Sequence, residues 1–105
     1  MAKWVNVAKV NDFDNKHVIV IDYDDVLIAI FKLANGFYAI EDTCSHAEAS
    51  LAEGKIVDGC EIECPLHGAR FDIRTGEHLS FPAVTPVEPY PVKVEGADIF
   101  IEVNW

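Results

Sequence analysis

Two short segments that each combine a cysteine with a histidine constrain this chain more than any other feature. The first segment reads Cys44-Ser45-His46, and after a gap of seventeen residues the second reads Cys64-Pro65-Leu66-His67. A lone cysteine or histidine is usually a packed or surface residue, but this chain holds only three cysteines and four histidines in 105 residues. Two such pairs therefore indicate one metal site with thiolate and imidazole ligands.

The mixed order of the ligands bears on which metal they bind. A zinc finger with two cysteines and two histidines groups each type in its own segment, whereas each segment here carries one of each. The mixed order suits a binuclear cluster, in which one iron takes the two thiolates and the other takes the two imidazoles. Two histidines replace two cysteines in this way in a Rieske [2Fe-2S] centre. A structural zinc domain with the same four ligands is the alternative.

Motifs beyond the ligands carry a resemblance to a known family. They are Gly68 after the second histidine, Phe71-Asp72, Thr75-Gly76, Pro82-Ala83 and a last run that begins at Tyr90. From about Trp4 to Val103, the chain resembles the bacterial Rieske-type [2Fe-2S] ferredoxins that serve aromatic ring-hydroxylating dioxygenases. The resemblance implies one Rieske-type [2Fe-2S] cluster, with four ligands: Cys44, His46, Cys64 and His67.

The resemblance also implies an electron carrier and not an enzyme. We expect it to pass electrons from a flavin-containing ferredoxin reductase to a terminal oxygenase of aromatic hydrocarbon catabolism. The large oxygenase subunits add a mononuclear iron held by two histidines and a carboxylate, but only His17 and His78 remain here, far apart in the sequence. We expect both on the surface. A redox sensor, or a Rieske small subunit of another oxidoreductase system, is the alternative that keeps the cluster.

Two positions after the second ligand histidine concern the reduction potential. High-potential relatives carry a serine and a tyrosine there, whose hydroxyls donate hydrogen bonds to cluster sulfur, whereas this chain has Ala69 and Phe71. Such bonds stabilise the reduced, more negative cluster. We therefore expect a potential in the lower part of the Rieske range of roughly −150 to +300 mV. The same relatives have a disulfide between the ligand loops. The corresponding positions here are Ala49 and Leu66, so this disulfide is absent, as expected for a protein in a reducing compartment.

The rest of the chain predicts strands. Asn35-Gly36 lies between two apolar runs and is typical of a two-residue hairpin, so we predict a hairpin over residues 26–41 that leads into the first ligand loop. Residues 18–21 form a further strand-like run. We also predict a strand pair over 56–63, with Cys60 as a small apolar strand residue, and a closing hairpin that turns at Gly96-Ala97.

These patterns together predict a single all-β domain over residues 1–105. Its fold would be the Rieske [2Fe-2S] fold, with small antiparallel sheets in a sandwich or partial barrel and the two cluster-binding loops at one tip. Evidence for helices is weak, with at most a turn near residues 47–51.

Charge and hydropathy limit the partners. The chain has 18 acidic and 8 basic residues, and seven of the acids lie between Glu41 and Glu63 with a single lysine. We expect this acidic surface to repel nucleic acid and anionic membranes and to steer the protein to basic patches on its redox partners. The longest uncharged apolar run, Val26 to Phe31, is far shorter than the roughly 20 residues that span a bilayer. We expect a soluble, cytoplasmic monomer without a signal peptide.

Overall fold

A computed structural model describes residues 2–45, 48–66, 68–83 and 85–105. In these ranges the only helices are two short 3-10 helices, at Val10–Phe13 and Leu51–Glu53, and neither could cross a membrane. The remaining regular structure is strand, which confirms the all-β prediction. The strands are β1 (Lys3–Lys9), β2 (Val18–Tyr23), β3 (Val26–Leu33), β4 (Gly36–Glu41), β5 (Lys55–Val57), β6 (Glu61–Glu63), β7 (Arg70–Asp72), β8 (Pro89–Tyr90), β9 (Val92–Glu95) and β10 (Asp98–Val103).

The strands form three antiparallel sheets in layers. The middle layer is a four-stranded sheet with the order β2-β3-β4-β8. One outer sheet has the order β1-β10-β9, so the first and last strands of the chain pair with each other. The other has the order β5-β6-β7 and carries the second ligand loop between β6 and β7. The predicted stack of small antiparallel sheets is therefore confirmed.

The middle of strand β3, residues 28–31, is buried on both faces, which explains why its sequence is apolar there without alternation. Successive side chains of a strand point to opposite faces, and here they enter two different cores. Ile28 and Ile30 pack with residues of the outer sheet that contains β10, whereas Ala29 and Phe31 pack with the core that contains the cysteines of the ligand loops. The middle sheet thus forms a rigid base beneath the predicted metal site.

The hairpin over residues 26–41 is confirmed, but its turn lies one residue earlier than predicted. Leu33 pairs with Gly36, so Ala34 and Asn35 form the turn, and Gly36 begins β4 with a φ of 145°. The preceding hairpin turn, between β2 and β3, was not predicted. Asp24 and Asp25 join β2 to β3 with φ values of 53° and 66°, the left-handed conformation that a tight two-residue hairpin requires at both positions.

The other predicted hairpins are also present. Strands β5 and β6 pair antiparallel, and β9 and β10 pair through the turn at Gly96-Ala97. The prediction for Cys60 is wrong, because Cys60 lies in the turn between β5 and β6 and is only partly buried. Asp58 and Gly59 both have positive φ, so the chain turns before it reaches Cys60. The turn predicted near residues 47–51 lies partly outside the described residues, and a 3-10 helix begins at its end.

Candidate metal centre

The two ligand loops close in the same way. In the first loop, which follows β4, the Cys44 backbone N–H donates to the Ala49 carbonyl at 3.0 Å. In the second loop, which follows β6, the Cys64 N–H donates to the Ala69 carbonyl at 2.7 Å. Each cysteine is thus fixed at the start of its loop by a backbone bond to an alanine five residues later. Both loops leave strands that pack on the same core, which agrees with their predicted placement side by side.

Cys44 and Cys64 meet beneath these loops. Their exposed fractions are only 4% and 1%, and both belong to the core that also contains Leu51, Ile62 and Phe71. The Cys64 side chain is hydrogen-bonded to Cys44, and the Leu66 backbone N–H donates to the Cys64 sulfur. Two thiols separated by twenty positions in the sequence are therefore neighbours in an apolar environment.

The surroundings of the thiols disfavour their ionisation in the absence of a metal. Burial raises the pKa of Cys64 above its ordinary value, and the adjacent Cys44 raises it further, against the opposing hydrogen bond from Leu66. A bound cation reverses this balance, because it stabilises thiolates and releases their protons. A buried, adjacent thiol pair with a backbone donor on one sulfur fits the cysteine half of an iron–sulfur site.

The histidine half of the predicted site lies outside the described residues, since neither His46 nor His67 is among them. Within the described part of the chain, no group of three or more histidine, cysteine or acidic side chains is placed to hold a metal ion. The structure thus brings together the two predicted cysteine ligands, and the two histidine ligands remain predictions. The other histidines, His17 and His78, are exposed as expected.

Asp42 fixes the first ligand loop, and the sequence analysis did not identify it. It is 2% exposed and is the buried charged residue of the described chain. Its N–H donates to the Leu27 carbonyl at 2.9 Å, and its own carbonyl accepts from the Leu51 N–H at 2.7 Å. Its carboxylate accepts from the Ala52 N–H at 2.9 Å. A buried carboxylate needs hydrogen-bond donors such as this N–H. The position of Asp42 directly after β4 was the sequence signal that could have indicated this role.

Apolar side chains are exposed in and near the second loop. Phe81 is 83% exposed, and Leu66 and Leu79 are each 46% exposed. Leu66 lies in the second ligand loop, and the Leu79 N–H donates to the carbonyl of Arg70, the first residue after that loop. Large exposed apolar residues that lie close together commonly mark an interaction surface.

The acidic segment over residues 41–63 is less charged at the surface than its sequence suggests. Asp42 is buried, and Arg70 is 3.2 Å from the Glu63 carboxylate and 3.9 Å from that of Glu61. Beyond the segment, Arg74 contacts Asp72 at 3.1 Å, and this contact lowers the pKa of Asp72. The exposed acids of the segment are Glu48, Glu53 and Asp58.

Comparison with known proteins agrees with this arrangement. Residues 3–91 match the Rieske [2Fe-2S] domain family. The chain is 47% identical to the 3-phenylpropionate/cinnamic acid dioxygenase ferredoxin subunit of Escherichia coli strain K12, over 94% of this chain and 92% of that protein. The ferredoxin of carbazole 1,9a-dioxygenase from Nocardioides aromaticivorans IC177 has a TM-score of 0.86 and 38% identity, over 94% of this chain and 96% of that one.

A further solved structure shows a ferredoxin of this type with its partner. It is a complex of reduced oxygenase and oxidized ferredoxin in carbazole 1,9a-dioxygenase, and it matches with a TM-score of 0.83 and 33% identity, over 93% of this chain and 91% of that one. The fold and the paired cysteine loops thus define a small iron–sulfur protein. The chain belongs to the Rieske [2Fe-2S] domain family, and it carries one Rieske-type cluster as its cofactor.

Proposed function

We propose that this protein is the ferredoxin component of an aromatic ring-hydroxylating dioxygenase. It accepts one electron at a time from a flavin-containing reductase and delivers it to the terminal oxygenase. Its likeness along almost the whole chain to a dioxygenase ferredoxin subunit is the observation that carries this proposal. No bond is made or broken on the protein, because a [2Fe-2S] cluster supplies only the gain and loss of one electron.

We also propose the complete ligand set. Cys44 and Cys64 hold one iron, and His46 and His67 hold the other. The contact between the two buried thiols supports the first half. The position of each histidine within three residues of its cysteine supports the second half, because each loop then delivers one ligand to each iron.

Electrons enter and leave, in this proposal, at the tip formed by the two ligand loops. The cysteines are buried there, whereas Leu66, Leu79 and Phe81 expose apolar surface. Exposed apolar side chains together with exposed acids such as Glu48 suit a partner that docks briefly and then leaves. The aromatic substrate does not contact this protein, so the chain carries no pocket for it in our proposal. We place the protein in the cytoplasm, as a monomer with one domain.

A reconstituted system tests the proposed function. A flavin-containing ferredoxin reductase and the terminal oxygenase of a ring-hydroxylating dioxygenase are mixed with NADH and an aromatic substrate, with and without the purified ferredoxin. We expect sustained product formation only when the ferredoxin is present, with a red-brown colour and an EPR signal on reduction. A colourless protein with one zinc ion would contradict the cluster, and a single electron uptake without turnover would favour a redox sensor instead.

The acidic surface leads to a prediction about salt. The second-order rate of electron delivery should fall as ionic strength rises from 0.01 M to 1 M, because the Debye length shrinks from about 30 Å to about 3 Å. Glu48→Gln removes an exposed charge within the first ligand loop, and we expect it to lower the low-salt rate about twofold. Stopped-flow spectroscopy measures the rate.

The matched control for this prediction is Asp14→Asn. Asp14 is also exposed, but it follows Phe13, which packs in the core on the other side of the middle sheet. Its rate should match that of the unmodified protein at every salt concentration. If both variants behave alike and salt has no effect, the acidic residues serve solubility and do not guide docking.

A further inference from the structure

A segment of the chain connects the two ligand loops from outside. This strap comprises Ser80 to Ala83 and Thr85 among the described residues. At its start, the Leu79 N–H donates to the Arg70 carbonyl at 2.7 Å, and the Arg70 N–H donates to the Ser80 hydroxyl at 3.1 Å. Since Arg70 directly follows the second ligand loop, this end of the strap is tied to that loop by two hydrogen bonds.

The other end of the strap reaches the first ligand loop. The hydroxyl of Ser45, the residue next to Cys44, donates to the Thr85 carbonyl at 2.6 Å. Forty positions separate the two residues in the sequence, so this bond depends wholly on the fold. It connects the strap to the loop through the side chain of one exposed serine.

The middle of the strap packs on the core that contains the two ligand-loop cysteines. Ala83 is 3% exposed and belongs to the same core as Cys44 and Cys64, whereas its neighbours Phe81 and Pro82 are exposed. The methyl group of Ala83 therefore anchors the strap in the core that contains the buried thiols. Beyond the strap, the Val87 N–H donates to the Gly76 carbonyl at 2.9 Å, which fixes the chain after Thr85.

None of the three cysteines, all of which lie among the described residues, is in a disulfide, so no disulfide joins the two ligand loops. We infer that Ser45 is a positioning residue, whose hydroxyl holds the strap against the first ligand loop and so keeps the two loops together around the cluster. This inference rests on the ligand set proposed above. The two bonds at Arg70 secure one end of the strap, and the hydroxyl of Ser45 secures the other.

Cluster retention tests this role. Ser45→Ala, Ser45→Thr and Thr85→Ala are each prepared with a full cluster, and the decay of visible absorbance is followed after addition of an iron chelator. We expect Ser45→Ala to release iron about fivefold faster than the unmodified protein, as the loss of one ordinary hydrogen bond allows. Ser45→Thr keeps a hydroxyl and should restore slow release.

Thr85→Ala is the matched control, because it removes a side chain from the strap but keeps the carbonyl that accepts the bond. It should release iron at the unmodified rate. If Ser45→Ala does not load a cluster at all while the other two variants do, the inference is supported in its strongest form. Equal rates for Ser45→Ala and Thr85→Ala, or a failure of Ser45→Thr to restore retention, overturn it.

The ligand set is tested separately, by substitution of the ligand residues themselves. If Ser45→Ala behaves like the unmodified protein, this result contradicts the inferred role of Ser45 but leaves the ligand assignment intact. Conversely, a cluster that persists without His46 removes the ligand assignment, whatever the behaviour of Ser45.

Discussion

Replacing His46 or His67 by alanine is expected to abolish assembly of the [2Fe-2S] cluster. In the proposed ligand set each histidine supplies one of the four protein ligands, so its loss would leave one iron with an open position and the cluster unstable. Because metal binding and folding are coupled in small metal-binding domains, the variants should also unfold at lower temperature. Visible absorption, iron analysis and thermal unfolding monitored by circular dichroism measure these effects.

The chain offers matched controls for this experiment in its other two histidines. His17 and His78 are exposed, and neither lies in a ligand loop. Alanine at either position should leave the spectrum and the iron content unchanged. Cys60→Ala serves in the same way for the cysteines, because Cys60 lies in a turn and is not among the proposed ligands. A full cluster spectrum in a His46 or His67 variant would remove that residue from the ligand set.

The strands that the sequence predicted well are those with strong local signals. The hairpin of β3 and β4 matches its predicted bounds of 26–41, because runs of apolar and β-branched residues between turn residues are a local property. The closing hairpin was predicted from the alternation of apolar and polar residues in its strands and from Gly96 in its turn. The turn at Asp24-Asp25 was not predicted, because two aspartates are a weak signal for positive φ, and the pairing of β2 with β3 imposes that conformation.

The meeting of the two cysteines could be predicted because each lies beside a histidine in a short segment, whereas the contacts that support the ligand loops could not. Asp42 contacts Leu27 and Ala52, and Ser45 contacts Thr85, so each partner is distant in the sequence. The charge prediction was incomplete for the same reason. Arg70 lies opposite Glu63 in the register of β6 and β7, and it neutralises acids that the sequence presented as a continuous negative segment.

The reduction potential provides the second large expected effect. Ala69→Ser and Phe71→Tyr each add one hydroxyl at positions that are fully buried in the core shared with Cys44 and Cys64. A buried hydroxyl without a partner is costly, so each is expected to donate to a nearby sulfur. In the proposed ligand set, two ferric ions, two sulfides and two thiolates give zero net charge before reduction and −1 after it. A donor at sulfur therefore stabilises the reduced state more than the oxidised one.

The size of the shift follows from the strength of such bonds. A hydrogen bond to a charged acceptor contributes about 1.5 to 3 kcal/mol, and only the difference between the two oxidation states changes the potential. Since about 59 mV corresponds to a tenfold change for one electron, we expect an increase of roughly 30 to 100 mV for each substitution. Protein-film voltammetry on the single and double variants measures it. Ala52→Ser, which adds a hydroxyl to a partly buried residue at the edge of the same core, is the control and should leave the potential unchanged. An unchanged or lowered potential in the double variant would mean that Ala69 and Phe71 do not face the cluster sulfurs, and that another feature of the site sets the potential of this ferredoxin.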